Sequence, residues 1–249
     1  MKYAVLAGAL SLFSISAMAN QTSFLSYDYI EVGYIRTDIK SNDKTDVDRS
    51  GAPSYGGYII NLSKQFSENW YFTGSYSQSS ADYSSVAKYL SPPFPDGTYS
   101  SDVIDTYSSV IDMELTRYSL GFGYIQHFSD VTSFDYALNY GQLKVKSDAT
   151  ILYEREYAGD VFYSSKSSYN SSDTSDVFAM NAQVRHLLTS KFEVNAGVGY
   201  ERLHDDESDN NLVLKAGLNY AITQRINLAA SYRYVDEYAD ITATLRYYF

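Results

Sequence analysis

From Tyr27 to the carboxy terminus, apolar and polar residues alternate with period two, and no stretch sustains a helical period. The clearest case sets Tyr118, Leu120, Phe122 and Tyr124 against Arg117, Ser119, Gly121 and Gly123. The same pattern recurs over about 27–39, 54–66, 70–83, 113–128, 132–146, 176–188, 191–203, 211–222, 225–235 and Ile241–Phe249. It predicts ten strands and an all-β fold. Between these segments, short links near Glu68-Asn69, Ser129-Asp130, Thr189-Ser190 and Thr223-Gln224 alternate with others, of which 40–53, 84–112 and 147–175 are long and 204–210 and 236–237 are short. All four prolines, Pro53, Pro92, Pro93 and Pro95, fall at or within the long links, where no ladder hydrogen bond is lost.

The two faces of these strands differ in kind. One carries a bulky aromatic on nearly every strand, and ten such rows cannot fit inside a ten-stranded ring. The other holds Gly33, Gly57, Gly121, Gly123, Gly141, Gly197, Gly199 and Gly217 together with the charged residues. An Arg or Lys facing lipid at mid-membrane costs about 2–4 kcal/mol, whereas charge inside a barrel is tolerated. The small face therefore points inward and the aromatic face meets lipid. This is the pattern of a transmembrane antiparallel up-and-down β-barrel of ten strands; eight or twelve are the alternatives, twelve drawing an extra pair from 147–175. A soluble sandwich would hide its aromatics and show charge, and its strands would be shorter than the 9–11 residues a membrane strand needs.

Met1 to Ala19 has one cation at Lys2, an apolar run from Tyr3 to Phe13 and the triplet Ala17-Met18-Ala19, the layout of a cleaved secretory signal. The domain is then 20–249. Its long links are expected to be extracellular loops and both termini periplasmic, as in bacterial outer-membrane barrels. The chain lacks Cys, which removes disulfides, thiolate metal sites and cysteine nucleophiles. Its formal charge of −11 argues against a nucleic-acid partner. No cofactor or metal is expected. The acidic runs Asp43, Asp46, Asp48 and Asp205, Asp206, Glu207, Asp209 do not follow a calcium-loop pattern and read as solvated charge.

Charges on the inner face are expected to pair across the lumen, with Asp135, Glu193, Arg185 and Arg246 near the periplasmic end and Glu31, Glu201, Arg117, Lys215 and Arg233 further up. A narrow pore lined by the same residues is the competing reading. Tyr83, Tyr89, Tyr99 and Tyr107 in one long link, and Tyr153, Tyr157, Tyr163 and Tyr169 in another, lie among Ser and Asp in a composition suited to recognition surfaces.

The terminal strand Ile241-Thr242-Ala243-Thr244-Leu245-Arg246-Tyr247-Tyr248-Phe249 resembles the carboxy-terminal assembly signal of Gram-negative outer-membrane barrels. The resemblance implies handling by the barrel assembly machinery, with Leu245, Tyr247 and Phe249 carrying the signal. Ser26–Tyr34, Trp70–Tyr76 and Leu120–Tyr124 resemble the small outer-membrane barrel family once described as a secreted quorum factor, which supplies no catalytic residues. Asp46-Val47-Asp48 with His204-Asp205-Asp206 is similar in residue type, though not in order, to the omptin proteases, and His127-Phe128-Ser129 resembles the His-x-Ser of lipid A deacylases. His127 falls beside a periplasmic turn, away from that substrate, and His186 is read as interfacial. The expected protein is a non-enzymatic, monomeric barrel in contact with outer-membrane lipid and lipopolysaccharide. Its role is recognition, adhesion or envelope structure through an extracellular ligand of its loops. A narrow porin-like channel is the alternative, and a protease or lipid A hydrolase stands behind both.

Overall fold

The computed structural model describes residues 25–39, 54–90, 103–157, 159–204, 208–236 and 238–249. The signal segment 1–19, the link 40–53 and the acidic residues Asp43, Asp46, Asp48, Asp205, Asp206 and Glu207 lie outside them. Ten antiparallel strands close into a ring: β1 (Tyr29–Ile39), β2 (Ser54–Gln65), β3 (Trp70–Leu90), β4 (Val103–Ser129), β5 (Thr132–Tyr157), β6 (Asp160–Thr189), β7 (Phe192–His204), β8 (Ser208–Ala221), β9 (Ile226–Val235) and β10 (Tyr238–Tyr248). Each strand pairs with its sequence neighbours, and β1 closes the ring on β10 with Glu31 opposite Arg246. Closure leaves no free edge in the ring itself, which is what allows a sheet to sit in lipid.

At one end the connections are tight. Phe66 N donates to Trp70 O (3.0 Å), and the Thr223 hydroxyl accepts from Ile226 N (3.0 Å). Outward residues form an apolar band of Leu62, Leu120, Leu138, Val198 and Leu212, all well exposed. Aromatic belts flank it: Trp70, Tyr124 and Tyr136 toward the tight turns, and Tyr34, Tyr58, Tyr76, Tyr118 and Tyr140 toward the other end. At that second belt the rings meet polar neighbours, as where the Tyr58 hydroxyl donates to Gln78 Oε1 (2.8 Å). Amphipathic rings settle at such a boundary between apolar and wet surroundings.

The sequence-based loops at 84–112 and 147–175 need correction. Strand β3 runs on to Leu90 and β4 starts at Val103, while β5 continues to Tyr157 and β6 starts at Asp160. The ladders run on: Ala81↔Met113 through Leu90↔Ile104, Met113↔Ser147 through Val103↔Tyr157, and Ser147↔Ser171 onward to Tyr157↔Asp160, with one register shift between Arg155 and Glu156. The reason the pattern misleads is physical. Away from lipid both faces of a strand can be polar, so the period-two signal fades although the hydrogen bonding does not. The turn closing β5–β6 contains Gly159 at φ +94°, a conformation costly for other residues. The extra pair of strands contemplated for 147–175 is the continuation of β5 and β6, and the ring stays at ten.

Among the described residues no single apolar core fills the barrel. Two small clusters sit inside it, Tyr27 with Tyr71 and Ile125, and Val213 with Val235 and Tyr238. Tyr27, expected on the first strand, precedes β1 and turns inward, where only 4% of it is exposed.

Candidate functional site: a barred lumen beneath a tyrosine crest

The inward charges assemble into two layers. Near the tight turns, Arg185 makes a bidentate pair with Glu193 (Nε–Oε1 2.7 Å, Nη2–Oε2 2.9 Å), lies over the Tyr27 ring at 4.6 Å and donates to the Leu25 carbonyl (3.3 Å). Tyr27 donates in turn to Asp135 Oδ2 (2.5 Å). Arg246 forks onto Glu31 Oε2 from Nε and Nη2 (3.3 and 3.0 Å), which places Glu31 in this layer and not in the upper one that spacing along the chain suggested. Tyr71 lies so close over Gly123 that a Cβ there would come within 2.3 Å of its ring.

Towards the other end, Asp240 takes both Arg117 Nη1 (3.1 Å) and Arg233 Nη1 (3.0 Å), and its second oxygen accepts from the Thr37 hydroxyl (2.7 Å). Arg233 also pairs with Glu201, and Tyr238 donates to the same carboxylate. Arg117 on β4 and Asp240 on β10 stand on opposite walls, so this pair is a bar across the lumen. Between the layers is a cavity of about 360 Å³ lined by Asn61, Asn139, Asn181, Asn195, Asp135 and Lys215.

Every residue of the anticipated lumen network thus faces inward. Glu31, Arg117, Arg185, Glu193, Glu201, Arg233 and Arg246 form ion pairs; Asp135 is held by tyrosine hydroxyls, and among the described residues Lys215 forms no ion pair. Asp240 and Tyr238 were missed because 236–237 read as a link and the last strand as starting at Ile241. The signal was present, since Asp240 shares parity with Thr242, Thr244 and Arg246. With Asp240 included, the five carboxylates Glu31, Asp135, Glu193, Glu201 and Asp240 balance the five cations Arg117, Arg185, Lys215, Arg233 and Arg246.

Above the barrel, four strands continue alone. β2 leaves β3 at Gly56↔Ser80, and β7 meets β6 only from Asp176↔His204, so β3–β6 rise as a four-stranded crest whose β3 and β6 edges have no described strand beside them. The parity that turns Arg117 into the lumen carries Asp105 and Tyr107 to the same side. On that side Tyr89, Tyr107, Tyr153 and Tyr163 make a cross-strand row with centroids 6.0, 4.9 and 5.8 Å apart. At its foot Arg155 forks onto Asp105 (2.7 and 3.0 Å), and Tyr153 donates to the same carboxylate (2.8 Å). The bonds to Asp105 hold the Arg155 guanidinium protonated well above its ordinary range. On the opposite side Asp82, Asp112 and Asp148 stand directly across from one another on three strands, and Asn170 Nδ2 donates to Asp148 (3.0 Å).

Of the residues weighed for chemistry, Asp46, Asp48, Asp205 and Asp206 lie outside the described residues. His127 lies exposed near the tight turns, and His186 bonds Thr132 through Nδ1 (2.8 Å). Leu245 and Tyr247 face outward on β10, and Phe249 N donates to the Asp28 carbonyl (3.2 Å).

Solved structures to which the chain is similar include Ail, the attachment invasion locus protein of Yersinia pestis (16% identity, 90% of this chain and 99% of that one, TM-score 0.35). Neisserial surface protein A (13%, 90% and 98%, 0.36) and the KdgM porin (10%, 89% and 99%, 0.42) are others. No curated protein matches the chain. The model of the OmpA-like transmembrane domain matches residues 102–248, more than half of the sequence. The chain belongs to the OmpA-like transmembrane domain family, and it is a bacterial outer-membrane β-barrel.

Proposed function

We propose that this barrel is a non-enzymatic surface-recognition protein, with the crest extracellular, the tight turns and both termini periplasmic, and a lumen closed to solutes. The observation that carries the reading is the crest: four strands maintain ladder register well beyond the aromatic belt, where the membrane no longer demands it. A rigid scaffold that lifts side chains clear of the lipid is how binding surfaces are presented. The bars across the lumen support closure, and open aqueous channels are typical of about 16 strands or more. The outward belts suit lipid and lipopolysaccharide, and Leu245, Tyr247 and Phe249 are the segment we assign to the assembly machinery.

The test is a truncation in register. Ala81, Met113, Ser147 and Ser171 occupy one cross-strand row, so short turns joining Ala81 to Met113 and Ser147 to Ser171 remove the crest and keep every lower rung. The truncated protein should keep its heat-modifiable gel mobility and lose attachment to host cells, matrix or neighbouring bacteria. Unchanged attachment refutes the reading. Planar-bilayer recording of the full protein should show no steady conductance, and large steady steps would put the porin-like channel in its place.

A further inference from the structure

The crest's tyrosine row has a chemistry of its own. Tyr89 and Tyr163 at its ends keep 60% and 52% of their surface exposed, and each has a ring neighbour on one side only. The inner pair, Tyr107 and Tyr153, are tilted 32° at 4.9 Å and each has a ring neighbour on both sides, so the row offers unstacked ring faces at its two ends. The hydroxyls of Tyr89, Tyr107 and Tyr163 have no hydrogen-bond partner among the described residues, whereas that of Tyr153 is committed to Asp105. Ser165 and Ser167 share this side of the sheet.

Charge narrows the ligand. Among the described residues the one cation at the row's foot, Arg155, is spent on a bidentate bond to Asp105, which leaves none of them there with a free positive group for a sulfate or carboxylate. The chain as a whole is acidic, at −11, and repels polyanions. An apolar peptide anchor needs a pocket, and none of the described residues walls this sheet face into one. What remains is a flat, uncharged partner with C–H faces to lay on aromatic rings and many hydroxyls to bond with the phenols and serines between them.

We propose that the row Tyr89–Tyr107–Tyr153–Tyr163 is a binding site for neutral oligosaccharide, with a sugar unit on each terminal ring and the intervening units across Tyr107. The inference rests on the reading of the crest as a recognition surface and names its ligand class.

The experiment uses the full barrel in phospholipid nanodiscs and, as probes, short neutral oligomers of glucose, mannose and N-acetylglucosamine, with a sulfated and a carboxylated oligomer for comparison. Binding to at least one neutral oligomer is expected, weakened at least about tenfold in Tyr89→Ala/Tyr163→Ala and within about threefold of native in Tyr89→Phe/Tyr163→Phe, which keeps the rings. Unchanged gel mobility and unchanged amide protection along β3–β6 in the alanine variant would show that the row was not removed merely by unfolding the crest. If the crest is needed for attachment but no neutral oligomer binds, or the acidic ones bind better, or the alanine variant binds as the native protein does, the glycan inference falls and the recognition reading stands. If crest truncation leaves attachment intact, both fall.

Discussion

The same four strands pass through two environments, and their inward face changes character at the row Ser80–Glu114. Below it an opposite wall stands across the lumen, and the inward charges Arg117, Asp135 and Arg185 are mostly buried, the two arginines paired with Asp240 and Glu193 of other strands. Above it there is no described wall opposite, and the same parity presents Tyr89, Tyr107 and Tyr163, about half exposed, with Tyr83 and Tyr153 less so. In the lumen an unmatched charge has nowhere to go, so each must find a partner. On the crest, water or a ligand is the partner. One hydrogen-bonded ladder therefore lines a charge-paired lumen at one end and carries a tyrosine surface at the other, and register must be held for both.

The sharpest way to separate the two regions is a single-residue deletion in β4. Removing Ser119 reverses the parity of everything between it and the crest, sending Arg117 to the lipid side and Tyr118 into the lumen. At about 2–4 kcal/mol for the misplaced Arg alone, and with its bond to Asp240 lost, the variant should not reach the heat-modifiable form. Removing Ser109 puts the same slip in the crest. The barrel should then assemble with ordinary gel mobility, while Tyr107 leaves the row and attachment is lost. Equal failure of both deletions would mean that crest and barrel fold as one unit.

Ion pairs give the second contrast. Arg185→Ala leaves Glu193 buried without its guanidinium and removes the stack on Tyr27, and a broken buried pair of this kind costs about 3–5 kcal/mol. Arg155 in the crest has a third of its side chain exposed, so Arg155→Ala should leave global stability close to native. Urea unfolding in lipid vesicles measures both, and similar midpoints for the two variants would contradict a lumen plugged by its buried pairs.

The contrast also explains what was legible in the sequence. The barrel was readable because lipid forces one face to be apolar: Tyr118, Leu120, Phe122 and Tyr124 announce β4 unaided. Nothing forces that in the crest, where Ser164, Ser165, Ser167 and Ser168 follow one another along β6 with no alternation. Its length and tyrosines were visible, its ladder was not. Likewise the lumen residues could be assigned to a face, but which carboxylate meets which guanidinium depends on ring closure. Glu31 and Arg246 are 215 positions apart and become neighbours only because β1 pairs with β10.

The smallest expected effect tests the crest's other side. Asp82, Asp112 and Asp148 sit in adjacent cross-strand positions, and like charges directly opposite one another oppose the pairing that holds them there. Asp112 is the middle one, so Asp112→Asn removes two repulsions at once and leaves an amide able to donate to either neighbour. A gain of about 0.2–1 kcal/mol is expected, confined to the crest. Hydrogen exchange along residues 81–90 and 103–113 should slow in the variant at low salt, and the difference should shrink as salt screens the native repulsion. Exchange in the barrel rows below Ser80 should not change. If it slows equally there, the crest is not an independently opening unit and the division at Ser80–Glu114 is misplaced. If the crest instead opens faster in the variant, the three carboxylates are holding a bridging cation rather than repelling one another, and a chelator should loosen the native crest in the same way.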